Sequence, residues 1–273
     1  MCSAAAAGSP TVAAWMEGTT WFTPAGSGDQ FFLDYERGRP DWPSEAVELL
    51  DFPTTGTVLD LGAGTGKLTR LLVHRFDQVV AVEPSEAMRR ILVGLCPRAS
   101  TCAAQARNLP LADDSVDAVF AAEAFHWFDD DQSLAEIARV LRADAPLVLL
   151  WNLPAGSWEP SIAAAQTLLR GRLPGGRLDY DPFDLDGPRR GDGEWRCSFA
   201  AAGFEPLSDT RIPNSQTLDR EGLVSFFASM GWVAELGDQE RLPLLAEVRS
   251  ALSASTYRRP WITQVFWTRL LSQ

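Results

Sequence analysis

The sequence predicts an α/β fold in which helices cover both faces of an open parallel sheet. Two observations support this prediction. Between residues 44 and 152, short segments that are apolar along their whole length alternate with segments of helical pattern. Strands buried on both faces appear as such apolar runs, and strands separated by helices are typical of parallel sheets. With 273 residues, 46% of them hydrophobic, the chain is long enough to bury a large core.

The predicted elements follow one another in a regular order. After a helical pattern from Ser44 to Asp51, the predicted strands are 57–61, 79–83, 116–123 and 146–152, and the helices between them are 66–75, 85–95 and 131–142. In the later part we expect a helix at 160–171, a short helix ending near Gly203, strands at 204–212 and 263–271, and two helices near 218–231 and 237–253.

Composition divides the chain into four parts. Residues 1–43 are rich in aromatic residues, Gly and Pro, and we expect this leader to pack as a lid on the rest of the protein. Residues 44–152 form the predicted core of the sheet, and residues 153–195, rich in Pro, Gly and Asp, form an insertion or second lid. Residues 196–273 complete the sheet, with a helical insertion at about 213–253.

The charge of the chain makes several partners unfavourable. The 36 acidic and 24 basic residues give a formal net charge of -12, which repels nucleic-acid phosphates and anionic membrane surfaces. The four cysteines form no CxxC pair and the chain has two histidines, so we expect neither a metal site nor a disulfide framework. The N-terminus lacks the pattern of a signal peptide, and no apolar run reaches about 18 residues. These features predict a soluble, cytoplasmic protein.

The stretch "VLDLGAGTGKLT", residues 58–69, places three glycines between a strand and a helix. It differs from a P-loop, because Gly66 and Lys67 lack both the earlier glycine and the following Ser or Thr. It also differs from the dinucleotide fingerprint, because Lys67 stands where the third glycine should be. Glycines in such a turn allow a ligand to lie against the backbone. Asp60, just before the turn, favours a ligand with an ammonium group over a phosphate.

Glu83 ends the second predicted strand, 17 residues beyond Gly66. In open α/β sheets, a carboxylate at this edge can accept hydrogen bonds from both ribose hydroxyls of an adenosine. The predicted ligand therefore has a ribose and a cation and requires no phosphate. S-adenosylmethionine fits this description.

Three motifs make the chain similar to a known family: "VLDLGAGTG", "VEPSEAM" at 82–88, and "LPLADDSVDAVFAAEAFHWF" at 109–128. They resemble those of the class I S-adenosylmethionine-dependent methyltransferases, which implies a Rossmann-like fold with a seven-stranded, mostly parallel sheet. The third motif, with "YERGRPDWP" at 35–43 and the late "TQVFWTRL", is similar to the small-molecule methyltransferases grouped with trans-aconitate methyltransferase. The resemblance covers roughly residues 35–152 well and the rest loosely.

The resemblance assigns cofactor roles to a set of positions. Asp60 and the backbone of Gly62, Gly64 and Gly66 would hold the methionine end, and Glu83 the ribose. The other cofactor positions that it implies are Pro84 and Met88 beside the adenine, Gln105 and Ala106 near the adenine amino group, Glu123, and Arg39 for the methionine carboxylate, with Tyr35 and Arg37 in the same leader motif. The family usually has an acidic residue where this chain has Gln105, whose amide oxygen can still accept a hydrogen bond.

Candidate residues for the acceptor side follow the fourth predicted strand. His126 is a candidate general base, since imidazole takes up a proton near neutral pH. The alternative is a histidine packed between Phe125 and Trp127. Trp127 and Trp151, with Tyr35, are candidates for lining the substrate pocket, although core packing explains the tryptophans equally well. In "FDDDQS" at 128–133, a helix cap at Asp130 or Asp131 is favoured over a metal site.

These features predict an enzyme that methylates a small organic molecule, with oxygen as the preferred acceptor by resemblance. A first alternative is a methyltransferase-like protein that binds the cofactor and catalyses a rearrangement, cyclisation or elimination, because a fold does not fix a reaction. A second alternative is a ligand-binding module that pairs through its aromatic leader. A monomer and a homodimer are both compatible with the sequence.

Overall fold

A computed structural model of the chain describes residues 29–49, 54–156, 159–172 and 197–272. The helices in this part are α1 (Asp29–Gly38), α2 (Glu45–Glu48), α3 (Lys67–Arg75), α4 (Glu86–Leu95), α5 (Asp131–Val140), α6 (Pro160–Arg170), α7 (Cys197–Ala201), α8 (Arg220–Ala228), α9 (Gly231–Ala234) and α10 (Asp238–Ala251). The strands are β1 (Thr57–Leu61), β2 (Gln78–Val82), β3 (Ser100–Cys102), β4 (Ala118–Ala122), β5 (Pro146–Pro154), β6 (Ser208–Asp219) and β7 (Thr256–Arg269).

The strands form one seven-stranded sheet in the order β3-β2-β1-β4-β5-β7-β6. Strands β1 to β5 are parallel to one another, whereas β7 runs antiparallel to both β5 and β6. The predicted α/β class and the seven-stranded, mostly parallel sheet are therefore confirmed. Between β1 and β5, the predicted element bounds lie within about two residues of the observed ones.

Helices pack on both faces of this sheet because neighbouring strand residues point in opposite directions. On β1, Leu59 belongs to a buried cluster that includes Leu134 and Ile137 of α5. The adjacent Val58 belongs to a second buried cluster that includes Leu68 and Leu72 of α3. The carboxyl ends of the parallel strands are thus held between two apolar layers.

The antiparallel part of the sheet corrects the sequence prediction. Strand β6 extends to Asp219, so the helical insertion begins at Arg220 and its predicted start at about 213 is wrong, whereas the helix predicted near 218 begins two residues later. Strand β7 begins at Thr256 instead of 263. The sequence of β6 is polar and contains Pro213, which an edge strand tolerates. Its strand conformation comes from pairing with β7 along its whole length, and a local pattern does not contain that information.

Strand β3 is also absent from the sequence prediction. Ser100–Cys102 is three residues long and partly exposed, so it has no apolar run to detect.

The structure describes only part of the predicted leader and of the predicted insertion. Residues 1–28 of the leader, including Trp15 and Trp21, lie outside the described residues, as do residues 173–195 of the predicted insertion with their acidic run.

The described end of the leader docks on the C-terminal part of the chain. Gln216 Nε2 donates to the Gly38 carbonyl at 2.9 Å, and a Cβ atom on Gly38 would lie 2.2 Å from the backbone nitrogen of Phe226. Asn214 Nδ2 donates to the Asp41 carbonyl at 2.8 Å. Helix α1 therefore lies in close backbone contact with α8. Within the described residues, the helices are too short or too polar to cross a bilayer.

Candidate functional site

The glycine turn after β1 is built from left-handed residues. Gly62, Gly64 and Gly66 have φ angles of 74°, 58° and 92°, which favour glycine. A Cβ atom on Gly62 would lie 2.6 Å from the Ala124 side chain, and one on Gly66 would lie 2.6 Å from Leu92 Cδ1. A Cβ atom on Gly64 would meet only a Met88 sulfur at 3.8 Å. The turn is thus packed at its two ends and open at its centre.

Asp60 lies buried beneath this turn. Its Oδ2 atom accepts a 2.6 Å hydrogen bond from Thr69 Oγ1, whereas its buried Oδ1 atom accepts no hydrogen bond from the described residues. Burial raises the pKa of Asp60 from 3.8 to about 7. A buried acceptor without a donor is costly, so Asp60 Oδ1 is suited to a ligand that brings a donor or a positive charge.

Glu83 lies beside Asp60 at the end of β2. Its Oε2 atom accepts from the Gly64 N–H at 2.9 Å, and its Oε1 atom accepts from the Ser85 N–H at 2.8 Å. Burial raises the pKa of Glu83 as well, although these two hydrogen bonds oppose the shift. Since both oxygens are held by backbone, the carboxylate keeps one orientation while each oxygen retains a second lone pair for a ligand.

The predicted adenine positions differ in their exposure. Met88 is buried on α4 and faces the open centre of the glycine turn, whereas Pro84 is exposed. Ala106 is buried in the main core, and Gln105 is exposed and pairs through its backbone with Asn108. No hydrogen bond of the described residues joins Gln105 to Asp60 or Glu83. The adenine roles stay predictions.

Helix α1 covers the site. Burial raises the pKa of Tyr35 to about 12, with smaller contributions from the carboxylates of Glu123 and Glu83, while the positive charge of Arg39 opposes the shift. Phe31 and Phe32 pack with Met88 in one buried cluster. The leader thus brings an aromatic wall and a phenol to the two carboxylate-bearing strand ends.

Arg39 is fixed at the end of the leader helix. Its Nε and Nη2 atoms donate to the hydroxyl and the carbonyl of Ser229 at 3.0 and 2.6 Å. Its guanidinium carbon lies 5.3 Å from the Tyr35 ring centre and 5.5 Å from the Phe226 ring centre. Arg37 instead forms an exposed ion pair with Asp219 at 3.0 Å. Of the two arginines, Arg39 is the one beside the covered site.

An ion cluster ties the leader to the helix that follows the glycine turn. Lys67 Nζ lies 2.9 Å from Asp41 and 3.9 Å from Glu36. Arg70 contacts the same two carboxylates at 3.3 and 2.8 Å. Because Lys67 and Arg70 are separated by three positions on one helix, both reach the leader together.

The acceptor-side candidates lie where β4 and β5 end. Glu123 has a φ of 49°, its N–H donates to the Leu150 carbonyl, and its Oε1 atom accepts from the Asn152 N–H, both at 2.8 Å. Trp151 Nε1 donates to His126 Nδ1 at 3.4 Å. The Trp151 ring is 7% exposed and packs in the main core.

The remaining candidates from the sequence are Trp127, Asp130 and the second histidine, His74. Trp127 is partly exposed and its ring centre lies 5.0 Å from that of His126. Asp130 caps α5, because its side chain accepts from the Ser133 N–H at 2.9 Å. His74 is exposed on α3. The substrate and general-base roles of Tyr35, Trp127, Trp151 and His126 stay predictions.

Sequence reasoning missed the residues that support the site from outside its motifs. Thr69 orients Asp60, Cys96 Sγ contacts the Gly66 carbonyl at 3.6 Å, and Ser229 holds Arg39. Thr69 lies nine positions beyond Asp60, on the first turn of the following helix, and that placement was a usable signal. The contact between Arg39 and Ser229 spans 190 positions, and no local pattern announces it.

Comparison with known proteins shows similarity to methyltransferases. A family model described as a methyltransferase domain matches residues 59–149. A protein of Schizosaccharomyces pombe described as an uncharacterized methyltransferase is 38% identical over 220 residues, which cover 79% of this chain and 82% of that protein. A Mycobacterium tuberculosis protein of the same description is 48% identical over 118 residues, 43% of this chain and 49% of that protein. The chain thus spans about half the length of that mycobacterial relative.

Solved structures share the fold. A proposed type II methyltransferase from Anaeromyxobacter dehalogenans superposes with a TM-score of 0.61 at 23% identity, covering 86% of this chain and 99% of that one. At this identity the likeness concerns the fold alone. The sheet order, the glycine turn with its two carboxylates, and the long match to the fission-yeast protein lead to one conclusion. This chain belongs to the methyltransferase family.

Proposed function

We propose that the chain is an S-adenosylmethionine-dependent methyltransferase that methylates an oxygen of a small organic acid, within the group that resembles trans-aconitate methyltransferase. The observation that carries the proposal is Asp60 Oδ1, a buried carboxylate oxygen that accepts no hydrogen bond from the described residues. The ammonium group of S-adenosylmethionine supplies the missing donor. Its positive charge also favours the ionised carboxylate, which burial disfavours.

The neighbouring groups fit the rest of this cofactor. Glu83 presents two oxygens in a fixed orientation, which suits the two hydroxyls of a ribose. The open centre of the turn at Gly64 lets a ligand lie against the backbone, with the buried Met88 beside it. For the adenine we propose a place beside Met88 and Pro84, with Gln105 and Ala106 near its amino group. When bound, S-adenosylmethionine supplies an electrophilic methyl group on a sulfonium.

Helix α1 gives the chain a means to exclude water. Tyr35 lies close to both Glu83 and Glu123, and the ion cluster of Glu36 and Asp41 with Lys67 and Arg70 holds the leader in place. Methyl transfer depends mainly on alignment of donor and acceptor at about 3 to 3.5 Å and on a dry site. A covering helix that is fixed by charges on the cofactor-binding turn meets this requirement.

The acceptor side carries positive charge. Arg259 is 1% exposed, with its guanidinium carbon 3.7 Å from the Phe226 ring centre, and Arg39 faces the same ring. The positive charge of Arg39 contributes, after burial, to lowering the pKa of Arg259. Both guanidinium groups face the Phe226 ring, and that of Arg39 also faces the Tyr35 ring. Together they create a positive potential, which favours an anionic acceptor.

A carboxylate acceptor also suits the scarcity of bases. A carboxylate oxygen has no proton to lose, so its methylation needs no general base. A histidine, His126, lies at this edge, and its Nδ1 atom accepts a hydrogen bond from Trp151 Nε1. For this reason we favour oxygen methylation of a carboxylate over methylation of an amine or a carbon.

Cofactor binding tests the first half of the proposal. Isothermal titration of S-adenosylmethionine into the full chain is expected to give one site, and both Asp60→Asn and Glu83→Gln are expected to weaken it at least about tenfold, as for hydrogen bonds to charged groups. Asp113→Asn, on an exposed side chain away from the site, is the matched control. Unchanged affinity in both site variants would remove the site assignment.

Methyl transfer tests the second half. The protein is incubated with methyl-labelled S-adenosylmethionine and a panel of carboxylic acids headed by trans-aconitate. Formation of S-adenosylhomocysteine with a labelled product that releases labelled methanol in base identifies a methyl ester. A label that resists base indicates nitrogen or carbon methylation. Binding without S-adenosylhomocysteine across the panel and a metabolite extract would favour the non-methylating alternative.

A further inference from the structure

The hydrogen bond from Trp151 to His126 determines which nitrogen of the neutral His126 ring carries the proton. The indole Nε1–H of Trp151 is a donor only, and it donates to His126 Nδ1 at 3.4 Å. A neutral imidazole carries one proton, so the nitrogen that accepts this bond is the one without a proton. The proton of neutral His126 therefore lies on Nε2.

The surroundings make Trp151 a rigid donor. Its ring packs edge-to-face on Phe266, with ring centres 5.7 Å apart. On either side of it along β5, the Leu150 carbonyl and the Asn152 N–H both bond to Glu123. Glu123 holds a left-handed φ of 49° to do so, and non-glycine residues adopt that conformation at a cost. The end of β5 is thus fixed to the turn that carries His126.

We infer that Trp151 is a positioning residue that holds neutral His126 in the Nε2–H form, so that the ring carries a donor at Nε2 and has no lone pair left for a general base. To act as a base, neutral His126 would have to use the Nδ1 lone pair that Trp151 already engages. As a donor it keeps its proton throughout. This role rests on the proposed function, and it suits a carboxylate acceptor, whose methylation releases no proton.

The tautomer is measurable without any turnover. The chain has two histidines, so nitrogen-15 labelling of histidine in the full protein gives two imidazole spectra, and His74→Gln assigns them. The exposed His74 ring is expected to exchange between its two tautomers, so its averaged spectrum serves as an internal reference. We expect His126 to show a protonated Nε2 and an unprotonated Nδ1 near pH 8. A protonated Nδ1 in the neutral ring would overturn the inference.

Trp151→Phe tests the cause of the tautomer. Phenylalanine keeps an aromatic ring against Phe266 and removes the indole donor, so the Nε2–H preference of His126 is expected to weaken toward the averaged pattern of His74. An unchanged preference would mean that Trp151 does not set it. If this variant does not fold, the spectrum of the unmodified protein still decides whether Nδ1 is the acceptor.

A pair of substitutions at His126 tests the role in turnover. Glutamine in His126→Gln places an amide nitrogen near the Nε2 position and can donate, but it is no base, whereas His126→Leu can do neither. With the acid that the labelling panel identifies, we expect His126→Gln to lose less than about tenfold in kcat and His126→Leu to lose more. Equal losses would overturn the donor role. If no acid is methylated, the proposed function fails, while the tautomer measurement remains decisive on its own.

Discussion

Thr69 Oγ1 donates a 2.6 Å hydrogen bond to Asp60 Oδ2 and joins the first turn of α3 to the end of β1. Both residues are buried, and their contact bridges the glycine turn from below. It orients the carboxylate so that Oδ1 remains for a ligand. The two residues therefore act as one unit in the proposed cofactor site.

Thr69→Val removes this bond and keeps the shape of the side chain. The bond is among the causes that lower the pKa of Asp60, so its loss is expected to raise that pKa above about 7 and reduce the ionised fraction. Affinity for S-adenosylmethionine at pH 7.5 is expected to fall about three- to tenfold, as measured by isothermal titration. Thr167→Val, on an exposed position of α6, is expected to change nothing.

Cofactor affinity is expected to depend on pH through Asp60. Because the pKa of Asp60 is about 7 and an ammonium group requires the carboxylate, the apparent affinity should fall by up to about tenfold for each pH unit below 7. It should level off near pH 8, above which the α-amino group of the ligand starts to lose its own proton. Asp60→Asn is expected to bind weakly and to lose most of this dependence. A flat profile in the unmodified protein between pH 5.5 and 8 would contradict the role of Asp60.

The same group links stability to pH in the protein without ligand. The pKa of Asp60 is raised on folding, so its contribution favours the folded state at low pH and is lost as the pH rises through about 7. Between pH 5.5 and 8, the unfolding free energy of the unmodified protein should fall by about 2 kcal/mol more than that of Asp60→Asn. Urea unfolding at the two pH values measures the difference. No relative change would mean that Asp60 ionises without cost.

Substitutions at two glycines of the turn are expected to differ in their effects: one mainly lowers stability and the other mainly weakens cofactor binding. Gly66→Ala combines a left-handed φ with a Cβ atom 2.6 Å from Leu92, so we expect a loss of about 2 to 4 kcal/mol in unfolding free energy. Gly64→Ala meets no such clash, so it should cost about 1 kcal/mol but weaken S-adenosylmethionine binding by filling the open centre. Gly94→Ala, exposed on α4, is the neutral or stabilising control. Equal affinity in Gly64→Ala would show that the cofactor does not lie there.

Gly38 tests the docking of the leader. A Cβ atom would lie 2.2 Å from the backbone of Phe226, so Gly38→Ala is expected to separate α1 from α8 and to cost about 1 to 3 kcal/mol. Because α1 packs on Met88 beside the glycine turn, affinity for S-adenosylmethionine should fall as well. Gly237→Ala, which has open space around it, is the control for both measurements. Loss of stability without loss of affinity would remove the covering role of α1.

The parts of the fold that were predictable have local causes. The strands β1, β2, β4 and β5 are apolar on both faces, so a run of consecutive apolar residues predicts their burial. The helices between them have a regular apolar spacing, and Asp130 caps α5 by a contact with Ser133, three residues away. Such features appear in any sequence window of ten to fifteen residues.

The parts that were not predictable depend on distant partners. Strand β6 is polar and exists because β7 pairs with it, and β7 in turn is fixed by β5. The sequence offered a general base or a histidine packed between Phe125 and Trp127 as roles for His126, and it did not indicate that the Trp151 indole, 25 positions away, donates to its Nδ1 atom. The direction in which a side chain donates is decided by a neighbour that the local sequence does not identify.

The sequence by itself determined the carboxylates, the glycine turn and the parallel core, because each is encoded by a short run of residues around one strand end. The tertiary structure decided which atoms remain for a ligand. It satisfied one oxygen of Asp60, fixed both oxygens of Glu83 and buried Tyr35 with Arg39 against its ring. These outcomes depend on contacts between segments far apart in the chain, and only packing around a common core brings such segments within hydrogen-bonding distance.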